Sequence, residues 1–179
     1  MENKISSSSL AQILDDLSQR LLKSAKKAHL LVGGAGALVG VYNYRDSTSD
    51  VDAIALGASL DDFARELSEV GAKFSLPPDW MNPHFSTFTI YLPKDYKKRC
   101  LRFFESSSLT ADALGPEDLM IMKLMAGRTK DQSHLRFLMK EGPVDLTIVE
   151  NRLTELKALF PKEAEDALNL FDDLQDEFT

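Results

Sequence analysis

"LLVGGAGALVGVYNYRDSTSDVDAIAL", residues 30–56, decides how the first half of this chain folds. It opens on an apolar run that ends in Gly33-Gly34, and it closes on Asp50 and Asp52, separated by Val51 and followed by more apolar residues. A short apolar run bounded by Gly-Gly reads as a buried strand entering a tight turn. "AGALVGVYN" then suits a helix, although Gly36 and Gly40 weaken it. "DVDAIAL" reads as a second strand. Side chains alternate faces along a strand, so Asp50 and Asp52 point one way while Val51 and Ala53 point into the core. Two like charges side by side on such a strand repel each other and lose hydration. A hard divalent cation, Mg²⁺ or Mn²⁺, resolves both problems, because it takes oxygen ligands and bridges carboxylates to substrate phosphates. The glycines allow close backbone approach, and a helix N-terminus favours anions, so the same end of the sheet offers a phosphate cradle. Alone, Gly-Gly marks a turn and Asp-x-Asp a solvated strand end. Strand, Gly-Gly, helix and carboxylate strand in one order are far more specific.

Outward from that stretch, hydrophobic residues fall at helical spacing from Leu10 to Leu22, with Ser8 or Ser9 as the expected cap. "SLDDFARELSEVGA" predicts a helix with a Ser59 cap and a stop at Gly71. "LPPDWMNP" reads as loop or a single helical turn. "HFSTFTIYLP" alternates and is aromatic-rich, which predicts a strand. "CLRFFES" and "LTADAL" predict two short strands. Pro116 opens a helix that closes at Gly127, and "KDQSHLRFLMKEG", "DLTIVENRLTELKAL" and "KEAEDALNLFDDLQDEF" predict three more. The expected fold class is α/β: a small mixed sheet flanked by helices over residues 1–114, including an N-terminal helix, then a helical subdomain over 115–179.

The 179 residues carry a net charge of −7, with 44% of them hydrophobic. Residues 153–179 hold eight acidic residues and two lysines, so the tail accounts for −6 of that charge and the site region is not acidic overall. An anionic substrate is therefore compatible with the low isoelectric point. The single cysteine, Cys100, excludes an intrachain disulfide. No apolar run has membrane-spanning length, and the first residues lack a secretory leader pattern, so a cytoplasmic protein without membrane contact is expected.

The order Gly-Gly, helix, Asp-x-Asp resembles the nucleotidyltransferase superfamily of the polymerase-beta type. "YRDSTSDVDAIAL" also resembles the Arg, Ser/Thr, Asp-x-Asp string of small nucleotidyltransferase-like proteins related to abortive-infection toxins. "LPPDWMN" and "LGPEDLMIMKLMAGRTKDQSHLRFLMKEG" look like a short nucleotidyltransferase-like family of unknown function. The resemblance spans roughly residues 30–149. It implies metal-dependent transfer of a nucleotidyl group from a nucleoside triphosphate to an acceptor hydroxyl on RNA or protein, as a toxin with a cognate antitoxin. The alternative is an inactive nucleotide-binding or regulatory module of the same fold. Asp50 and Asp52 would hold Mg²⁺ or Mn²⁺. Gly33 and Gly34 would cradle phosphates, with Arg45 and Thr48 beside them. Lys123, Arg128 and Lys130 would neutralise the triphosphate.

Catalytic members of the superfamily use a third carboxylate on a later strand. Asp95, Glu105 and Asp112 are the candidates, and Glu105, closing "CLRFFE", is preferred. Trp80 is expected to pack its loop on the core, with base stacking as the sharper alternative. "KDYKKRCLR" either contacts an RNA backbone or forms a lysine-protected sheet edge. Asp131 either caps the next helix or orients Arg128. His29, His84 and His134 show no zinc-ligand spacing.

Overall fold

In a computed structural model that describes residues 3–44 and 47–178, the chain forms seven α-helices and five strands among the described residues. They are α1 (Ser7–Lys23), β1 (Ala28–Val32), α2 (Gly34–Val41), β2 (Val51–Ala55), α3 (Ala64–Phe74), β3 (Met81–Asn82), β4 (Leu101–Glu105), β5 (Leu109–Ala113), α4 (Pro116–Ala126), α5 (Gln132–Lys140), α6 (Leu146–Leu156) and α7 (Pro161–Asp176). The expected α/β class is what forms. Two compact units share the chain. One is Met1–Ser86 with Cys100–Leu114, and the other is Thr87–Arg99 with Gly115–Thr179.

The first unit holds the whole mixed sheet, in the order β3-β2-β1-β5-β4. β1 pairs antiparallel with β2 and parallel with β5, and β3 joins β2 in parallel through only two residues, Val51↔Met81 and Asp52↔Asn82. Buried Val51, Ala53, Leu30 and Val32 make a helix-covered face. α2 lies close on that face because Gly36 brings its backbone within reach of Val51 and Val32, where an added Cβ would meet a Val51 methyl at 3.1 Å. The two glycines that weaken α2 as a helix are thus what let it pack: Gly40 does the same against Phe103 and Leu10.

α1 is capped by Ser6, not by Ser8 or Ser9; Ser9 is its partner three residues in, closing a capping box. Ser59 caps a 3-10 turn, Leu60–Phe63, that leads into α3. α3 runs through Gly71 and ends at Ser75 in the left-handed region. Gly71 serves packing, because Trp80 stands 3.2 Å from where its Cβ would be.

"HFSTFTIYLP" is not a strand. Residues His84–Tyr91 form a 3-10 segment. Phe85, Phe88 and Tyr91 recur every third residue, the 3-10 repeat, and this spacing competes with the alternation that suggested a strand. The strand lies just before it instead, at Met81–Asn82, within the stretch expected to be loop.

In the second unit, α4 starts at Pro116 and stops at Gly127 in the left-handed region, as the sequence predicts. Its buried residues, Leu119 to Met125, run all round the helix, so it forms the centre of that unit. α6 and α7 pack against it and each other. Among the described residues no helix is long and apolar enough to cross a membrane.

Candidate active site

Asp50 and Asp52 flank buried Val51, and both are half-buried, so the pair projects from one face as alternation requires. Asp52 sits at the start of α2. Its backbone carbonyl accepts from Gly33 N–H at 2.8 Å. Its carboxylate lies against Gly34: an added Cβ there would be 2.0 Å from Asp52 Oδ2. Gly34 also has φ +55°, which glycine adopts without strain. The Gly-Gly turn therefore seats a carboxylate on the first turn of α2, where the helix dipole favours negative charge.

This changes the reading of the glycines. The space beside Gly33 is filled by the Phe85 ring, 2.9 Å from an added Cβ, and the space beside Gly34 by Asp52. Neither side-chain position is an open phosphate cradle. The start of α2 is taken by the Asp52 carboxylate, so a phosphate would approach this turn through a cation held there.

Asp50 is held by neutral donors. Thr48 Oγ1 lies 3.3 Å from its Oδ1, and Asn82 Nδ2 donates to its Oδ2 at 3.2 Å. Thr48 also donates to the Asp50 carbonyl at 2.9 Å, and it is fixed by a backbone bridge to Ile5. Thr48 is thus a buried support for Asp50. Asn82 is 5% exposed and its own Oδ1 accepts from His84 N–H at 3.0 Å, so its amide is oriented from both ends. Sequence reasoning missed Asn82, because it missed β3. The register Asp52↔Asn82 places an amide on the strand beside the carboxylate pair, where the third carboxylate was sought.

Glu105 does not stand there. It ends β4, at the opposite edge of the sheet, exposed and 3.5 Å from Arg102. Its register partner is Thr110, which pairs with His29 near the far end of β1 from Gly33. Asp112 lies on β5 beside Leu31 and is engaged by Arg102 at 2.8 Å and His29 at 2.6 Å. Burial opposes its charge, but those two partners outweigh it and hold its carboxyl below the ordinary range. Asp95, in the second unit, pairs with Arg99 at 3.0 Å. Among the described residues, no group of three His, Cys, Asp or Glu side chains is arranged to hold a metal ion. Arg45 lies outside the described residues.

A family model described as "Nucleotidyltransferase of unknown function (DUF6036)" matches residues 8–175. The chain belongs to this nucleotidyltransferase family. No curated protein and no solved structure matches it. The family supports a general role in nucleotidyl transfer and says nothing of abortive-infection toxins.

The basic residues expected to serve this nucleotidyltransferase divide. Lys123 is buried, donates to Asp131 Oδ1 at 2.6 Å and lies 3.0 Å from His134 Nδ1. Burial works against the Asp131 charge, yet His134 and Lys123 hold its carboxyl well below the usual range. Lys123 is thus matched inside the second unit and is not a charge displayed to a triphosphate. Asp131 begins α5 without a side-chain capping bond, so the lysine, not the helix, explains it. Arg128 and Lys130 are exposed, and Arg128 lies 4.8 Å over the Phe88 ring. Of the basic run near residue 97, Arg99 is bound to Asp118 and Asp95, and Arg102 to Asp112. That run is a 3-10 turn over Tyr96–Arg99 and then enters the edge strand β4 at Leu101 and Arg102. Trp80 is 1% exposed and donates to the Leu67 carbonyl at 3.0 Å, so it packs the core and stacks on no base.

Proposed function

We propose that this protein transfers a nucleotidyl group from a nucleoside triphosphate to an acceptor hydroxyl, with Asp50 and Asp52 holding Mg²⁺ or Mn²⁺. The observation that carries the reading is Asp52 seated over Gly34 at the start of α2, on the same face as an Asp50 oriented by Asn82 and Thr48. The donor set fits the ion: two carboxylates held by neutral hydroxyl and amide donors make an all-oxygen site for a hard cation. Such an ion, when bound, polarises phosphoryl oxygens and offsets the charge of the departing pyrophosphate.

The chain's own part is to position. Asn82 and Thr48 fix the direction of the Asp50 carboxylate. Gly34 admits Asp52 to the helix end. The first turn of α2 holds the Asp52 carboxylate in place. Arg128 and Lys130 supply exposed positive charge in the second unit. RNA or protein acceptors, a toxin role and a cognate antitoxin rest on the sequence resemblance alone.

A second reading is a nucleotide-binding module without transfer. The observation that favours it is Asn82 itself, an amide in the strand position next to Asp52. Incubating the protein with each of the four triphosphates, labelled at the α-phosphorus, decides between them, with Asp52→Ala as control. Label transfer by the wild type that falls by orders of magnitude in Asp52→Ala supports the transferase. Binding of a triphosphate with no transfer supports the module.

A further inference from the structure

Beside Asn82 the first unit has a cavity of about 460 Å³. Ile54, Leu60, Leu67, Met81 and the edge of Trp80 give it an apolar wall, and Ser59 and Asn82 add polar groups. Volume and lining match a site for a small molecule, mostly apolar with a few fixed polar groups. Two observations say what kind. Asn82 lines the cavity and donates to Asp50 at 3.2 Å, so an occupant lies one side chain from the carboxylate pair. Among the described residues that line it, none is cationic and Asp61 is acidic, so the cavity offers phosphate no counter-charge.

The sheet order supplies the geometry. α2 begins where β1 ends, so its anion-favouring N-terminus lies on the β1 side of β2. Asn82 and the cavity lie on the β3 side. The aspartates of β2 stand between the start of α2 and a cavity that offers phosphate no counter-charge.

We propose that this cavity is the acceptor site, and that the acceptor is a small neutral or cationic hydroxyl compound with an apolar body, not a nucleic acid or a protein. The inference rests on the nucleotidyl transfer proposed above. In the step, the acceptor oxygen forms a bond to the α-phosphorus as the bond from that phosphorus to the pyrophosphate oxygen breaks. Pyrophosphate leaves and the hydroxyl proton passes to water.

The test uses the α-labelled triphosphate with two acceptor pools from a cell extract: the dialysable low-mass fraction, and the retained RNA and protein. Wild-type protein is compared with Ala58→Trp, which adds a large ring to the cavity lining at an exposed loop position past the end of β2. A melting curve confirms that the variant folds. The expected result is label in the low-mass pool only, reduced at least about tenfold by Ala58→Trp through misplacement of the acceptor, with triphosphate affinity unchanged. Label in RNA or protein, or full-rate transfer by Ala58→Trp, overturns the acceptor assignment and leaves the transferase standing. Absence of label in both pools overturns the transferase reading as well.

Discussion

Asp50 and Asp131 are both carboxylates with amide or amine neighbours, and the fold treats them in opposite ways. Asp131 is 7% exposed and lies 2.6 Å from the Lys123 ammonium, itself 5% exposed. Its charge is matched within the second unit. Asp50, in the first unit, is half-buried, and the donors to its carboxylate among the described residues are neutral: Thr48, Ser49 and Asn82. Asp52 has a helix end beneath it. One region has closed its charges against each other. The other orients the Asp50 carboxylate with neutral donors. Sequence alone ranks Lys123 and Asp50 together as site residues; the partner of each separates them.

The largest effect that tests this contrast is on stability in the second unit. Asp131→Ala leaves Lys123 buried without its counter-charge and is expected to cost about 3–5 kcal/mol. Pairing Asp131→Leu with Lys123→Met should recover most of that loss, and urea denaturation of the single and double variants measures both. A single variant as stable as the wild type would show that Lys123 is not bound up in the fold.

Glu66 is a third case, a structural carboxylate in the first unit. It is 1% exposed and bonded by Ser24 at 2.6 Å and Lys26 at 2.9 Å. Burial opposes its charge, but those donors prevail and bring its carboxyl down to about 2 from an ordinary 4.5. A lowered folded-state value means stability that is present above the ordinary carboxyl range and is lost as pH falls from there through about 2. The contribution is at most about 3 kcal/mol. Unfolding free energies measured down this window should fall steeply in the wild type and less in Glu66→Gln; parallel slopes would remove Glu66 from the account.

Gly34→Ala is expected to be milder for the fold, about 1–2 kcal/mol for a side chain at positive φ. It should displace the Asp52 carboxylate and so weaken the rise in melting temperature caused by Mn²⁺. An unchanged metal response would mean that the seat of Asp52 over Gly34 does not matter to the site.

Much of this was legible in the sequence. Gly33-Gly34, α2 and the Asp-Val-Asp strand follow from apolar runs, glycine punctuation and alternation, and α4 follows from Pro116 and Gly127. What misled was "LPPDWMNPHFSTFTIY". Its strand is two residues long, too short for alternation to show, and the aromatic alternation after it belongs to a 3-10 segment. Losing β3 meant losing Asn82. Glu105 looked suitable because it ends a strand, but strand order is set by long-range pairing, and only the sheet shows that β4 lies at the wrong edge. Lys123 looked like a phosphate ligand because its partners, Asp131 and His134, come from the next helical segments, and a sequence does not display that match.

Asp50 and Asp52 are proposed to hold a cation. The direct measurement is the melting temperature of the wild type, Asp50→Asn and Asp50→Asn/Asp52→Asn, each with and without Mn²⁺. Without metal, Asp50→Asn should melt at or slightly above the wild-type temperature, because neutralising one carboxylate relieves repulsion within the pair. With Mn²⁺, the wild type should gain stability by ligand binding to the folded state, Asp50→Asn less, and the double variant none. An equal Mn²⁺-induced shift in all three proteins would contradict the assignment of Asp50 and Asp52 as the metal site.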